Sequence, residues 1–198
     1  MANHGLIIGI NQYQRLKPLK CAKQDAVEMA RYCRDEINFD EVFLFTDESD
    51  PITAPNGSQQ DTKPTYTNLM AFLYDFFESS GKPSEPVDNF WFFFSGHGLR
   101  HQGQDYLVPS EGHPTLIEQT TISLNYVTQR LRRCGADNII LFLDACRNEN
   151  DFRNKSVGWQ KQQGVITIAS CSPTEESYEI PELQQGSFTY SLLEALRI

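Results

Sequence analysis

The chain has 198 residues, 39% of them hydrophobic and 22% charged, with a formal net charge of −9. These values are typical of one soluble domain with its own hydrophobic core. No run approaches the roughly 20 apolar residues of a membrane span, and the negative charge disfavours nucleic-acid phosphates as partners. The sequence therefore predicts neither a membrane nor a nucleic acid as a partner.

The cysteine pattern and the N-terminus bear on the cellular compartment. The cysteines are odd in number, widely spaced and without a C-x-x-C pair, which argues against a disulfide framework and a zinc site. They are Cys21, Cys33, Cys134, Cys146 and Cys171. The N-terminus shows no signal peptide. We therefore expect a reducing, cytoplasmic location.

Apolar periodicity predicts alternating strands and helices. Short, continuous apolar runs are typical of strands buried on both faces. The predicted strands cover residues 5–10, 41–45, 90–94, 138–143 and 164–170, and a short edge strand is predicted at 106–109. Apolar residues recur at helical spacing in four other segments, residues 22–33, 66–77, 124–134 and 187–196. Ser123 is the predicted N-cap of the third helix and Gly135 its stop.

This alternation predicts an α/β fold built on a mainly parallel sheet of five to six strands, with helices on both faces. Residues 47–64 contain three prolines and no periodicity, which predicts a long loop. The chain stops at Ile198 in or just after a helix, where a further strand would be the natural continuation. We therefore expect a single domain over 1–198, excised from a longer protein or left by processing.

The third and fourth predicted strands each end abruptly in a polar segment with a reactive side chain. Ser95-Gly96-His97-Gly98 follows one and Asp144-Ala145-Cys146-Arg147 the other. Ligands of open α/β sheets bind at the carboxyl ends of the strands, so both segments are expected on one rim. A neighbouring imidazole can take the proton of a thiol and later pass it to a leaving group. The pattern predicts a nucleophilic pair of His97 and Cys146, with the N–H groups of Gly98 and Cys146 as an oxyanion hole.

Either residue alone has a simpler interpretation. A buried cysteine is usually an inert small hydrophobe, and a histidine in a glycine turn is often structural. The pairing favours catalysis, because a histidine about 50 residues before the cysteine belongs to the signature Gln-Ala-Cys-(Arg/Gln/Gly)-Gly. Residues 144–148 agree with this signature at Ala145, Cys146 and Arg147, and depart from it at Asp144 and Asn148.

With these motifs the chain resembles the caspase-family cysteine peptidases, and more closely their prokaryotic metacaspase-like branch, the orthocaspases. The matching segments extend over almost the whole chain. They are residues 6–13, 25–26, 95–98, 105–109, 144–147, 169–171 and 186–190. The resemblance implies a caspase–haemoglobinase fold, hydrolysis of peptide bonds through an acyl-thioester, and His97 and Cys146 as the catalytic dyad.

The resemblance also bears on which peptide bond is cleaved. A carboxylate two residues before the nucleophile lies on the pocket floor of metacaspases, which implies that role for Asp144, and a second pocket carboxylate at Asp25. A guanidinium binds a carboxylate through two parallel hydrogen bonds. We therefore expect protein or peptide substrates with Arg or Lys before the scissile bond. The simpler interpretation of Asp25 is an acid near a helix N-terminus.

The polar segment 148–163 is a candidate processing loop, because self-cleavage often falls in this region of the family. Its candidate cleavage residues are Arg153, Lys155 and Lys161. The sequence requires no cofactor and shows no EF-hand spacing, which leaves calcium dependence open and predicts no metal site. The oligomeric state is not predicted.

Three rival interpretations stay open. A separase-like or gingipain-like peptidase would share the dyad but have a different pocket. A catalytically silent caspase-like scaffold would bind partners without reacting at Cys146. A flavodoxin-like nucleotide-binding module would share the fold class, but neither G-x-G-x-x-G nor a P-loop supports it.

Overall fold

The computed structural model describes residues 2–53, 57–77, 87–147, 165–170, 179–180 and 185–198. In chain order its strands are β1 (Ala2–Gly9), β2 (Glu41–Phe45), β3 (Ile52–Thr53), β4 (Gln59–Gln60), β5 (Val87–His101), β6 (Gln104–Leu107), β7 (Ile122–Ser123), β8 (Asn138–Arg147), β9 (Ile166–Ala169), β10 (Glu179–Ile180) and β11 (Gln185–Gly186). Its helices are α1 (Ala22–Arg31), α2 (Tyr66–Phe77), α3 (Ile117–Thr120), α4 (Leu124–Leu131) and α5 (Ser187–Leu196).

The central sheet is mixed, and seven of its strands lie in the described residues. Five of them run parallel in the order β2-β1-β5-β8-β9, and these are the five main strands predicted from the sequence. The other two, β6 and β7, continue antiparallel from the C-terminal part of β5. The predicted α/β fold is confirmed, with these two antiparallel strands as an addition to the mainly parallel sheet.

Two hydrophobic clusters cover the two faces of the sheet. Leu6 and Phe92 point to the face covered by α2 and α4, whereas Ile7 and Phe93 point to the face covered by α1 and α5. All four side chains are fully buried, and burying each contributes about 2 kcal/mol. Burial on both faces explains why the central strands are continuous apolar runs rather than alternating ones.

The capping signals of α4 are confirmed. The Ser123 hydroxyl accepts a hydrogen bond from the Tyr126 N–H at 3.2 Å. After a 3₁₀ turn, Gly135 adopts a left-handed conformation with φ of 74° and ends the helical segment. At the end of α1, a π-helical turn over Tyr32–Glu36 follows without a break, which the helical spacing did not predict.

Three details of the predicted elements differ from the structure: a loop, the position of a short strand, and the ends of two strands. The predicted loop 47–64 contains a short antiparallel hairpin, β3–β4. The predicted edge strand at 106–109 is instead β6, which lies between β5 and β7. The strands predicted to end at residues 94 and 143 continue, because β5 and β8 stay paired beyond both positions. His97 and Cys146 therefore lie within strands rather than after them.

Candidate active site

The two predicted dyad residues are direct neighbours in the sheet. His97 on β5 pairs in register with Cys146 on β8, and two residues earlier Ser95 pairs in register with Asp144. Neighbouring strands lie about 4.8 Å apart, so the parallel register brings the backbones of His97 and Cys146 side by side. For Cys146 the structure describes the position of the backbone and not that of the side chain.

The His97 imidazole is held from one side by the chain that follows β1. Its Nε2 lies 2.8 Å from the Lys17 carbonyl oxygen. A carbonyl can only accept, so Nε2 carries the hydrogen and Nδ1 is the nitrogen left to take up or release a proton. The side chain of His97 is largely buried, with 9% of the residue exposed. Burial lowers the pKa of His97 from 6.5, and the hydrogen bond to Lys17 opposes this only in part.

The segment that supplies the Lys17 carbonyl, residues 11–20, is fixed by hydrogen bonds at its start. The Asn11 amide donates to the Lys20 carbonyl at 3.0 Å and accepts from the Lys23 N–H at 2.9 Å. The Asp47 carboxylate accepts the backbone N–H groups of Asn11 at 3.1 Å and Gln12 at 3.3 Å. These contacts tie the segment to the start of α1 and to the chain after β2, so that its carbonyls hold fixed positions.

The same segment brings Tyr13 against His97. The Tyr13 hydroxyl accepts the backbone N–H of His97 at 2.8 Å. The two ring centroids are 4.6 Å apart, with 60° between the ring planes, which is an edge-to-face contact. Burial raises the pKa of Tyr13, so the phenol stays neutral.

The two predicted pocket acids are both buried and converge on one point. Asp25 on α1 is 2% exposed and Asp144 on β8 is 5% exposed. Asp25 accepts the Gly186 N–H at 2.8 Å and the Ser95 hydroxyl at 3.2 Å. Asp144 accepts the Thr189 hydroxyl at 2.9 Å. A Cβ atom placed on Gly186 would lie 2.8 Å from Asp25 Oδ2 and 2.9 Å from Asp144 Oδ2, so both carboxylates border the same small space.

The structure thus brings together four of the predicted site residues. Asp25 accepts a hydrogen bond from the hydroxyl of Ser95, which lies on β5 two residues before His97. Asp144 lies on β8 two residues before Cys146. Although Asp25 is the acid of the first turn of α1, its buried contacts reach well beyond its own helix.

The remaining predicted residues are placed in part or not at all. Gly98 pairs with Leu107 on β6 and Arg147 on β8, and its role in an oxyanion hole stays a prediction. The candidate processing loop 148–163 lies outside the described residues, together with Arg153, Lys155 and Lys161.

Sequence reasoning missed several residues of the site. Lys17 acts through its backbone carbonyl, so its residue type carries no signal. Tyr13 and Thr189 belong to segments that match the family motifs, but nothing in the sequence indicated that their hydroxyls bond to the site. Gly186 could be recognised only once the two acids were placed around it.

The described residues contain neither a metal-binding cluster nor a membrane-spanning helix. Within that part of the chain, no group of three or more His, Cys, Asp or Glu side chains is arranged to hold a metal ion. None of the helices there is both long and apolar enough to cross a membrane.

The sheet and the placement of His97 beside Cys146 define a caspase-like α/β domain. The family model described as Caspase domain, of the C14 peptidases, matches residues 2–198, and the chain belongs to this family. A probable protease from a Desulfuromonadales bacterium is 27% identical over 219 residues, covering 100% of this chain and 26% of that protein. The paracaspase of Dictyostelium discoideum is 26% identical over 108 residues, covering 52% of this chain and 25% of that protein.

A solved structure supports the fold. The crystal structure of a protein from Geobacter sulfurreducens aligns with a TM-score of 0.65 at 14% identity, covering 100% of this chain and 82% of that one. At this identity the likeness concerns the fold alone. The chain spans about a quarter of the length of the curated relatives that it matches.

Proposed function

We propose that the protein is a cysteine endopeptidase of the orthocaspase type, which cleaves peptide bonds after Arg or Lys with Cys146 as nucleophile and His97 as general acid and base. The observation that carries the proposal is the register of β5 and β8, which sets His97 beside Cys146 and Ser95 beside Asp144. Membership of the caspase domain family supports the same reaction class.

The proposed reaction has two halves. In the first, His97 Nδ1 takes the thiol proton of Cys146 and the sulfur attacks the carbonyl carbon of the substrate, forming a C–S bond. When the tetrahedral intermediate collapses, the C–N bond breaks and the amine leaves with the proton from His97. In the second half, His97 takes a proton from water as the water oxygen attacks the thioester carbon and forms a C–O bond. The C–S bond then breaks, the acid product leaves, and His97 returns the proton to the sulfur.

The position of the Lys17 carbonyl favours this use of His97. Since Nε2 donates to that carbonyl in both protonation states, the proton moves on and off Nδ1 alone. As burial lowers the pKa of His97, the imidazole stays neutral and able to accept a proton at neutral pH. We propose the N–H groups of Gly98 and Cys146 as donors to the oxyanion, which forms beside the sulfur.

The preference for a basic side chain rests on the two buried acids. The hydrogen bonds to Asp25 and Asp144 include those from a backbone N–H and two hydroxyls, which hold the two carboxyl groups in place. An Arg or Lys side chain of the substrate that enters this space would meet two acceptors, and a guanidinium can bind them with parallel N–H groups.

The proposal is tested with fluorogenic peptides that differ only in the residue before the scissile bond. We expect turnover of the Arg and Lys peptides, none of the Asp peptide, and loss of all turnover in Cys146→Ala. Cleavage after Asp would refute the role of the acid pair but leave the dyad intact. Turnover retained in Cys146→Ala would refute the dyad. Running each peptide with calcium and with a chelator measures the effect of calcium, which the proposed steps do not need.

Self-processing is proposed at the segment 148–163, after Arg153, Lys155 or Lys161. These are the residue types that the proposed pocket accepts. Intact-mass measurement of freshly purified wild type beside Cys146→Ala decides the matter. We expect fragments ending at one of these residues in the wild type alone. Identical intact masses would contradict self-processing.

We also propose a cytoplasmic location. Cys21, Cys33 and Cys134 are buried and form no disulfide in the part of the chain that the structure describes, as is common in a reducing compartment. Fractionation of cells that produce the tagged chain tests this, and recovery from the culture medium would contradict it.

A further inference from the structure

On one edge of β5, the sheet leaves a gap at the backbone N–H of His97, although the His97 carbonyl accepts the Val108 N–H at 3.0 Å. Since β8 pairs with one edge of β5 throughout this region, β1 and β6 must share the other edge. β1 pairs with β5 as far as Ser95, whereas β6 begins its pairing at Gly98. The backbone N–H of His97 falls between them, where neither strand supplies a carbonyl. A buried N–H without an acceptor is destabilising, because it has lost its hydrogen bond to water and gained none in return.

Tyr13 fills this gap. Its hydroxyl accepts the His97 N–H at 2.8 Å, and its ring packs edge-to-face on the imidazole of the same residue. The approach depends on Gly96, because a Cβ atom there would lie 2.6 Å from the Tyr13 hydroxyl and 2.9 Å from the Phe94 ring. One side chain therefore contacts both the backbone and the ring of His97.

We propose that Tyr13 is a positioning residue that fixes the His97 imidazole relative to Cys146. The inference rests on the proposed function, because it assigns Tyr13 a part in proton transfer by His97. The Lys17 carbonyl holds Nε2 and Tyr13 holds the backbone and one side of the ring. Both contacts come from the segment 11–20. Together they fix the direction in which Nδ1 points. Tyr13 itself touches neither the substrate nor the sulfur in this account.

The test compares two variants that each remove one buried tyrosine hydroxyl. Tyr13→Phe keeps the ring but removes the acceptor of the His97 N–H. The matched control is Tyr32→Phe, because the Tyr32 hydroxyl donates to the Leu196 carbonyl at 2.9 Å, away from the β5–β8 pair. We expect Tyr13→Phe to lower kcat for an Arg peptide about ten- to hundredfold with little change in KM, since small misplacements of a catalytic group have effects of this order. The control should keep the kcat of the wild type.

A second readout does not need turnover. The His97 imidazole can be titrated by NMR, and its pKa in the wild type is expected below 6.5 because the ring is buried. In Tyr13→Phe this pKa should rise toward 6.5 as water reaches a ring that is held less firmly, while Tyr32→Phe should titrate like the wild type. An inactive wild type would refute the proposed peptidase, and the titration would still show whether Tyr13 holds His97.

A wild-type kcat together with an unchanged His97 titration in Tyr13→Phe would overturn the inference and leave the peptidase standing. Should Tyr13→Phe fail to fold, Gly96→Ala tests the same contact, because its new methyl group would displace the Tyr13 hydroxyl from the His97 N–H. It should lower kcat with little change in KM, and wild-type kinetics in a folded Gly96→Ala would equally overturn the inference.

Discussion

The substitution Gly186→Ala tests whether the space between Asp25 and Asp144 receives the substrate's basic side chain. The new methyl group would lie 2.8 Å from an oxygen of Asp25 and 2.9 Å from one of Asp144. Both distances are shorter than carbon and oxygen atoms tolerate without bonding, so at least one carboxylate must move. Movement of Asp25 would disturb its bond from the Gly186 N–H, and movement of Asp144 would disturb its bond from the Thr189 hydroxyl.

The expected size of the effect follows from overpacking. Adding a methyl group to a filled site costs about 1–3 kcal/mol, and about 1.4 kcal/mol corresponds to a tenfold change. We therefore expect kcat/KM for Arg and Lys peptides to fall by about tenfold to a hundredfold. The loss should fall mainly on KM, because Gly186 borders the acids rather than the dyad.

The assay pairs peptide kinetics with alkylation of Cys146 by iodoacetamide, a small reagent without a basic group. Gly186→Ala should lose peptide turnover but keep the wild-type rate of alkylation at Cys146. The matched control is Gly5→Ala, whose Cβ would have its nearest neighbours at 3.6 Å and so fits without strain. It should retain turnover. Unchanged kcat/KM in a folded Gly186→Ala would refute the placement of the substrate side chain between these acids.

Three further predictions concern pH and one hydroxyl. Because burial lowers the pKa of His97, the acidic limb of kcat/KM should lie below pH 6.5 in a pH–rate profile, and a limb at or above 6.5 would contradict the neutral buried base. Burial also lowers the pKa of His4, so the stability that its neutral form contributes is present above pH 6.5 and is lost as the pH falls below 6.5. Urea unfolding should therefore show a smaller loss of unfolding free energy between pH 7.5 and 5 in His4→Phe than in wild type. Equal losses in the two proteins would contradict this role of His4. Thr189→Val removes a donor to the buried Asp144 carboxylate, a bond of about 1.5–3 kcal/mol, and should lower kcat/KM for an Arg peptide at least tenfold. Thr189→Ser keeps the hydroxyl and should stay near the wild type, and equal activity of the two variants would refute the role of the bond.

The parts of the fold that the sequence predicted depend on local signals. The five main strands are continuous apolar runs, and burial on both faces of a parallel sheet makes such runs necessary. The ends of α4 were also predicted from local signals, since a serine hydroxyl caps its start and a glycine in the left-handed region follows its end. Each of these features needs only a few consecutive residues to be recognised.

The parts that were wrong depend on partners distant in sequence. After Phe94 the chain is rich in glycine and polar residues, which is typical of a loop, yet it continues as a strand because β8 and β6 supply its hydrogen bonds. The hairpin β3–β4 pairs only two residues of each strand, too few for any alternation to be visible.

The candidate site shows the same division. His97 and Cys146 were predicted because each follows an apolar run in a recognisable motif, and the pocket roles of Asp144 and Asp25 because the resemblance to metacaspases implies them. The sequence could not reveal how His97 is held, since its two contacts come from a backbone carbonyl and a tyrosine of the segment after β1. Such contacts appear only when the ends of β1 and β5 are placed side by side.

Labelling with an arginyl chloromethylketone, followed by mass spectrometry of the modified peptide, tests the dyad and the acidic pocket beside it in one measurement. We expect one adduct per chain on Cys146, no adduct in Cys146→Ala, and labelling slowed at least about a hundredfold in His97→Ala, since proton transfer by a positioned side chain contributes about 10²–10⁴-fold. An aspartyl reagent should leave Cys146 unmodified. An adduct on another cysteine, or a wild type that the arginyl reagent does not label, would contradict the assignment of His97 and Cys146 as a peptidase dyad.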